Sequence, residues 1–321
     1  MTLETGSRLH FGLLSFGQAG VRAFGGVGAM IDRPAIRLRV ERSAHFACAG
    51  EEAERVAAFV ERLARRWRLA SLPACRVTVE SMPRAHVGLG TGTQLGLAVA
   101  AAVGAWLGRP SPAPDALAAL VGRGERSAIG TWGFARGGLL IEGGHDPSAA
   151  PAASPISPLL VRQELPQHWR WVLLTPALSA GLSGAAERAA FARLPPVPVA
   201  VTRQLCDELW HELIPAATAG DFDRFSQSLY RYGVAAGNCF ALVQGGAFAN
   251  AWVAEAVAAI RAKGVAGVGQ SSWGPTVFAL LPDETAARDL VASLTRLPVA
   301  ANAEIVIAAT RHTGARCELQ G

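Results

Sequence analysis

Lysine is nearly absent from this 321-residue chain. Lys263 is the only lysine among the 30 Lys and Arg residues, and it lies in an RAKG segment that is typical of a helix end. Walker-type phosphate loops and Schiff-base enzymes each need a placed lysine, so the sequence argues against both classes. The remaining basic residues are arginines, whose planar donors bind carboxylates and phosphates. With a formal charge of +5, the chain suits small anionic substrates.

Paired cysteines, membrane-length apolar runs and basic tracts are also lacking. The five cysteines lie far apart, and none has metal-ligand spacing, which is typical of reduced thiols in a cytoplasmic protein. The first ten residues lack a secretory pattern. The most apolar segment, Leu95 to Gly108, is shorter than the ~20 residues that cross a bilayer. Scattered basic residues with few aromatics between them do not indicate a nucleic-acid surface. We therefore expect a cytoplasmic protein with neither a membrane nor a nucleic acid as partner.

Strand and helix patterns alternate irregularly along the chain. Alternation predicts strands at 7–16, 35–43, 75–81, 135–144, 159–163, 170–176, 276–281 and 303–309. Helical periodicity predicts helices at 51–67, 93–107, 115–121 (capped by Asp115), 202–214, 221–236, 251–263 and 284–294, and composition predicts a surface loop at 146–158. This order favours an α+β protein with two modules. We place the change between Leu178 and Val197, giving domains 1–180 and 181–321.

Three glycine-rich stretches stand out: HVGLGTGTQLGLAVA, RGERSAIGTWGFARGG and GVGQSSWGPTVF. In the first, a strand ends at Ser81 and a long apolar helix begins near Thr93, with the glycine-rich loop directly before the helix. Free N–H groups and the positive end of the helix dipole then face the loop, which predicts an anion site. The loop has no lysine, and its glycines do not match GxGxxG. A simple helix cap remains the alternative for this loop taken alone.

Several basic side chains are candidates for holding an anion. Ser7, Arg8 and His10 lie on an alternating strand, on which Arg8 and His10 point to the same face. A structural histidine is the alternative for His10. Arg123, Arg126 and Ser127 are further candidates, with solvated surface arginines as the alternative.

The order of these motifs resembles the galactose, homoserine, mevalonate and phosphomevalonate (GHMP) kinase superfamily. GLGTGTQLGLAVA, GRGERSAIGTWGFARGG and GVGQSSWGPTVF are more closely similar to the beta-ribofuranosylaminobenzene 5'-phosphate synthase family. The resemblance spans essentially the whole chain. It implies an α+β fold with a ribosomal-S5-domain-2-like N-terminal domain, carrying the anion loop, and a ferredoxin-like C-terminal domain. A homodimer and magnesium are also implied.

The resemblance implies a decarboxylating transfer in the synthesis of tetrahydromethanopterin. 5-Phosphoribosyl 1-pyrophosphate would condense with 4-aminobenzoate or 4-hydroxybenzoate, releasing carbon dioxide and pyrophosphate. Under this hypothesis the pyrophosphate is cradled by Gly88, Gly90, Thr91, Gly92, Thr93 and Gln94. Arg8 and His10, or Arg126, orient the ring carboxylate. Gln270, Ser271 and Ser272 close the site from the second domain, and Trp273 packs beneath them or stacks on the ring.

Two alternatives stay open. A small-molecule kinase of the same superfamily would use ATP, but such kinases usually carry an aspartate a few residues before GG, and Ile129 to Arg136 contains no acid. A non-catalytic binding protein would hold an anion without turnover. The metal ligands are open as well, with Glu125, Glu142 and Asp146 as the nearest acids.

Overall fold

The computed structural model describes residues 1–146, 148, 156–177, 181–182 and 184–318. Among these residues, none of the helices combines the length and apolarity that crossing a bilayer requires. Most of the predicted 146–158 loop and the start of the predicted domain change, residues 178–180 and 183, lie outside the described residues.

The first sheet has seven strands built around one long antiparallel hairpin. Its strands are β1 (Thr2–Ser15), β2 (Phe24–Arg42), β3 (Ala47–Gly50), β4 (Cys75–Ser81), β5 (Leu139–Glu142), β6 (Leu159–Gln163) and β11 (Arg316–Glu318). The order is β11-β1-β2-β4-β3, and β5 pairs with both β2 and β6. The β1–β2 register places His10 opposite Gly28. The hairpin therefore carries Arg8 and His10 at the centre of the sheet.

Four helices accompany this sheet: α1 (Ala53–Trp67), α2 (Thr91–Trp106), α3 (Pro114–Val121) and α4 (Ile129–Arg136). Helix α2 is apolar on nearly every side, as expected for a helix covered all round, and Leu95, Leu97, Val99 and Val103 are buried. They pack with side chains of α1 and of the sheet in one core cluster. This burial fixes the start of α2, and hence the glycine-rich loop before it.

The second sheet has the order β10-β7-β9-β8. Its strands are β7 (Arg170–Pro176), β8 (Val268–Gln270), β9 (Val277–Leu281) and β10 (Ala303–Ala309). The helices of this half are α5 (Gly184–Arg193), α6 (Val199–Asp207), a π-helix (Glu208–Leu213), α7 (Ile214–Ala219), α8 (Phe222–Asn238), α9 (Ala241–Gln244), α10 (Ala251–Arg261), α11 (Glu284–Leu294) and a 3-10 turn (Pro298–Ala300).

One buried cluster joins the two halves. The ring of Phe11, on β1, lies 5.8 Å from that of Trp171 on β7 and 5.2 Å from that of Phe278 on β9. Strand β7 comes before residue 180 and pairs with β9 and β10, whereas β11 returns to β1. The pairing thus crosses the expected boundary in both directions, and the division at 180/181 stays a prediction.

The α+β expectation is confirmed, with local corrections. Asp115 does not cap α3: Ala113 occupies the cap position, and Pro114 begins the helix, where its missing N–H costs nothing. The helix predicted at 202–214 starts at Val199 and runs through the π-helix into α7. Helix α4 and strand β8 were not predicted, because their residues lie in the glycine-rich stretches.

Candidate functional site

The described residues enclose a cavity of about 450 Å³ between the two halves. It is bounded by β1, the glycine-rich loop and first turn of α2, the α3–α4 loop, α5, the end of α8 and the β8–β9 loop. Ten of the twelve predicted site residues line it: Arg8, His10, Gly88, Gly90, Thr91, Gly92, Thr93, Arg126, Gln270 and Ser272. The structure brings these ten together, while their roles stay predictions.

Ser271 joins three segments of the site without lining the cavity. Its hydroxyl donates to the carbonyl of Gly88 at 2.8 Å and accepts the N–H of His10 at 3.1 Å. The adjacent N–H of Ser272 donates to the carbonyl of His10 at 2.9 Å. Because Ser271 is fully buried, these bonds tie the second half to both the glycine-rich loop and β1.

The glycine-rich loop leads directly into α2. Gly90 caps the helix with φ +70°, and a Cβ there would lie 2.8 Å from Nε of Arg8. Only glycine combines this backbone angle with so close an approach. The N–H groups of Thr91 and Gly92, at the start of α2, have no acceptor within the helix. They form the positive end of the helix dipole, which lies beside the cavity. The start of α2 has the geometry of an anion site.

Gln94 supports this helix start from behind. Its amide oxygen accepts the hydroxyl of Thr5 at 2.9 Å, and its amide nitrogen donates to the carbonyl of Gly130 at 2.7 Å. The side chain is fully buried and does not line the cavity. The structure therefore places Gln94, like Ser271, next to the predicted cradle and not on its surface.

Arg8 and His10 form the floor of the cavity. Burial lowers the pKa of Arg8 to about 10, with the charges of Glu142 and Glu187 opposing the shift. Burial, and then the charge of Arg8, hold the pKa of His10 well below its usual value. His10 is consequently neutral at pH 7, and among the described residues its Nε2 has no hydrogen-bond partner. The floor thus offers one cation beside one neutral imidazole.

Arg126 lies on an aromatic wall. Its guanidinium is 4.7 Å from the centre of the Phe191 ring and 2.9 Å from a carboxylate oxygen of Glu187. The other oxygen of Glu187 accepts the indole N–H of Trp273 at 3.0 Å. Trp273 packs edge-on against Phe240 at 4.9 Å and against Phe191 at 5.4 Å. The wall presents apolar ring surface with a fixed cation at its edge.

Gln270 and Ser272 line the cavity from the β8–β9 loop. The amide oxygen of Gln270 accepts the N–H of Ala249 at 2.6 Å, and its amide nitrogen donates to the carbonyl of Ser272 at 2.8 Å. Ser272 has φ +56°, an angle that non-glycine residues adopt at a cost of about 1–3 kcal/mol and that is common at functional sites. The contacts of Gln270 hold this loop in shape.

Sequence reasoning missed Arg55, Glu187 and two members of the aromatic wall, Phe191 and Phe240, all of which line the cavity. Arg55 lies on α1, far from the glycine-rich loop in sequence, and Glu187 lies on α5, which was not predicted. Glu142, a candidate metal ligand, is instead fully buried and accepts the N–H of Ala128 at 2.6 Å. Burial raises the pKa of Glu142 to about 7, against hydrogen bonds from Ser127, Ala128 and Ser157 and the charge of Arg8.

Two curated relatives cover most of the chain. Beta-ribofuranosylphenol 5'-phosphate synthase from Archaeoglobus fulgidus is 32% identical over 308 residues, which are 87% of this chain and 87% of the relative. The protein of the same name from Methanothermobacter thermautotrophicus is 29% identical over 88% of this chain and 89% of the relative. The chain belongs to the beta-ribofuranosylphenol 5'-phosphate synthase family. The predicted family is confirmed, with relatives named for a phenol product.

The fold of this family member is that of the GHMP kinases. The family model described as "GHMP kinases C terminal" matches residues 213–299. Phosphomevalonate kinase from Streptococcus pneumoniae aligns with a TM-score of 0.69 at 11% identity, over 97% of this chain and 99% of that one. Homoserine kinase from Cytophaga hutchinsonii aligns with a TM-score of 0.65 at 14% identity, over 98% and 96%. At such identities the likeness shows the fold alone, and the predicted fold is confirmed.

Proposed function

We propose that this protein transfers the 5-phosphoribosyl group of 5-phosphoribosyl 1-pyrophosphate to a 4-substituted benzoate, with loss of carbon dioxide, in the synthesis of tetrahydromethanopterin. The bond from the anomeric carbon to the pyrophosphate oxygen breaks, and its electron pair leaves with pyrophosphate. The ring carbon that carries the carboxylate bonds to the anomeric carbon. The carbon–carboxylate bond then breaks, carbon dioxide departs, and the electron pair restores the aromatic ring.

One observation carries this proposal: a single cavity combines a glycine-rich helix start, which has the geometry of an anion site, with an aromatic wall that bears an arginine. A phosphoribosyl donor needs the first feature, and an aromatic acid needs the second. The names of the relatives, which describe a ribofuranosyl-arene phosphate, support the same pairing.

The donor's pyrophosphate is proposed to lie at the glycine-rich loop. Gly88 and Gly90, both at positive φ, shape the loop that leads into α2, and the first turn of α2, at Thr91, Gly92 and Thr93, would direct its dipole toward the phosphates. Departure of the leaving group develops negative charge there and positive charge on the ribose. Fixed donors that need no reorganisation stabilise such a transition state.

The aromatic acid is proposed to lie against Phe191 and Trp273, with its carboxylate toward Arg126. Guanidinium–carboxylate pairing fixes direction as well as position. Because Glu187 already pairs with Arg126 at 2.9 Å, the carboxylate would be oriented by a partly neutralised cation, which leaves it able to depart. Arg8, which is packed against Gly90, belongs with the donor in this arrangement.

We favour 4-hydroxybenzoate over 4-aminobenzoate as the acceptor. The support is the phenol in the names of the relatives. A buried donor or acceptor near the para substituent can separate the two acids, because an unpaired buried polar group is costly.

Magnesium is proposed to enter with the pyrophosphate. Among the described residues, no group of three or more His, Cys, Asp and Glu side chains could hold a metal. Mg²⁺ is usually held by one or two carboxylates together with substrate phosphates, so the cavity fits such a substrate-borne ion, with Glu125 as the lining carboxylate that would meet it. The metal would supply charge neutralisation at the leaving group. A homodimer, which the family resemblance implies, and a cytoplasmic location complete the proposal.

The test is release of labelled carbon dioxide from carboxyl-labelled 4-hydroxybenzoate and, in parallel, 4-aminobenzoate, with magnesium and with or without the phosphoribosyl donor. We expect donor-dependent release, faster with the hydroxy acid. Faster release from 4-aminobenzoate than from 4-hydroxybenzoate would reverse only the acceptor preference. No release with either acid from folded protein would refute the transfer and favour the kinase alternative, which an ATP-consumption screen would then examine.

A further inference from the structure

Two arginines, Arg55 and Arg123, meet at the first turn of α2, and a third, Arg62, lies against the residue before Arg123. A Cβ on Gly92, the second residue of this helix, would lie 2.6 Å from Nη2 of Arg55 and 3.3 Å from Nη2 of Arg123. A Cβ on Gly122, next to Arg123, would lie 2.5 Å from Nη2 of Arg62. Arg55 and Arg123 line the cavity, while Arg62 lies behind them. We call these three residues the arginine cluster.

The positive charge of the arginine cluster is poorly balanced by the protein. Its one short ion pair among the described residues joins Arg55 to Glu52 at 2.7 Å. The buried Nε atoms of Arg62 and Arg123 have no hydrogen-bond partner there. Burial, followed by the charges of Arg55 and Arg62, lowers the pKa of Arg123, with weaker opposition from acids. Like charges held this close repel one another, so a bound anion would stabilise the cluster.

We propose that Arg55 and Arg123, together with the first turn of α2, bind and stabilise the leaving pyrophosphate, and that Arg62 positions Arg123. This inference rests on the proposed function and names the residues that take the place of a phosphate-loop lysine. Two guanidinium groups and a helix start match the many acceptor oxygens of a diphosphate. A ribose phosphate carries at most about two charges at neutral pH and needs less.

The two guanidinium groups act on the bond that breaks. As the electron pair of the C1–O bond moves onto pyrophosphate, fixed cations beside those oxygens lower the energy of the transition state. Arginine keeps its charge throughout, so no proton moves at this subsite.

The test is calorimetric titration of the full-length protein with inorganic pyrophosphate and, separately, with ribose 5-phosphate, at fixed magnesium. The variants are Arg123→Gln and Arg55→Gln, and the matched control is Arg65→Gln, an exposed arginine on the same helix as Arg55. Loss of one charge-assisted contact corresponds to about 10- to 100-fold in Kd. We expect that loss for pyrophosphate with both variants, no more than about a 2-fold change for ribose 5-phosphate, and no change with the control.

Three other results of the titration would contradict the subsite or the proposed function. Unchanged pyrophosphate affinity in both variants, or no pyrophosphate binding by the wild type, would overturn the subsite. Weakened ribose 5-phosphate binding in place of pyrophosphate would overturn its assignment to the leaving group. Because the titration requires no turnover, an arginine-dependent pyrophosphate site in a protein that releases no carbon dioxide would refute the proposed function and leave the subsite standing.

Two further variants separate binding from folding and positioning. Arg123→Lys keeps the charge without the planar fork, and we expect an intermediate pyrophosphate affinity, whereas a purely structural role would make it resemble Arg123→Gln. Arg62→Gln should weaken pyrophosphate binding less than Arg123→Gln. The double variant should bind no more weakly than Arg123→Gln alone, because Arg62 acts through Arg123. Additive losses would remove the positioning role.

Discussion

Replacing Ser271 with alanine tests whether this residue holds the site together. Its hydroxyl makes two buried hydrogen bonds, to the carbonyl of Gly88 and from the N–H of His10, and its side chain is 0% exposed. Alanine removes the hydroxyl and leaves both backbone groups without this partner in a buried setting. Each unsatisfied group costs about 1–3 kcal/mol, so with two such groups we expect Ser271→Ala to lower the free energy of unfolding by about 2–6 kcal/mol.

Ser228 provides a matched control for this loss. It is also fully buried, but its hydroxyl has no hydrogen-bond partner among the described residues. Removing an unsatisfied hydroxyl leaves no new orphaned group, so Ser228→Ala should change the free energy of unfolding by less than about 0.5 kcal/mol or raise it slightly. Both variants are compared by equilibrium urea unfolding. A loss in Ser271→Ala no larger than that in Ser228→Ala would refute the reasoning.

The same variant separates positioning from contact in turnover. Ser271 does not line the cavity, and its bond to Gly88 holds the loop that is proposed to carry the pyrophosphate. We therefore expect Ser271→Ala to raise the KM for the phosphoribosyl donor more than the KM for the acid. Equal changes in both KM values would indicate a general loss of the site.

Single substitutions at Gly90, Arg126 and Glu142 test three other features of the site and its supports. Gly90→Ala should lower kcat/KM at least 10-fold, because the new Cβ would lie 2.8 Å from the guanidinium Nε of Arg8. Gly20→Ala is the control: Gly20 has the same φ of +70° but nothing within 4 Å of the new Cβ, so kcat/KM should not change. Equal kcat/KM values for the two variants would contradict this prediction. Arg126→Gln should raise the KM for the acid about 10- to 100-fold through the lost carboxylate pairing, with Arg136→Gln on the neighbouring helix as the control, and an unchanged KM would remove Arg126 from the acceptor site. The pKa of Glu142 is raised to about 7 from a usual 4.5, so the folded state binds the extra proton, and stability contributed by this group falls as pH rises through that window. Relative to Glu142→Gln, the free energy of unfolding of the wild type in urea should fall by about 2–3 kcal/mol between pH 4.5 and pH 7.5. The same pH dependence of the unfolding free energy in both proteins would contradict the raised pKa.

The glycine-rich loop and the helix start that follows it were predictable because their signals are local. Glycines before an apolar helix define a helix start, and the period of two along β1 places Arg8 and His10 on one face. Both features are confirmed as geometry. The network of Ser271 was not predictable in the same way, since a hydroxyl in a glycine-rich stretch faces a ligand or the backbone according to the segments packed against it.

The arginine cluster and α4 show where local signals end. On α1, Arg55 resembles the solvated Arg65 and Arg66 in sequence, and only the packing of α1 beside α2 turns it toward the cavity. Helix α4 was missed because glycine disfavours helices. The structure gives the reason for Gly133: a side chain there would collide with Met30, so close packing against the sheet outweighs helix propensity.

The sequence has no acid between Ile129 and Arg136 and no lysine in its glycine-rich loop. Both features fit the proposed transfer better than they fit phosphoryl transfer. In phosphoryl transfer the substrate hydroxyl loses its proton as the oxygen attacks, and a kinase carboxylate usually accepts that proton. The ring carbon that carries a carboxylate has no proton to lose, because carbon dioxide departs in its place. A site for this transfer therefore needs no base. Burial and the charge of Arg8 lower the pKa of His10 and make this imidazole of the cavity floor a weak base, and Glu142 is buried against the start of α4. What the transfer does need is fixed positive charge at the leaving group and an oriented ring, which the arginine cluster and the aromatic wall are placed to supply.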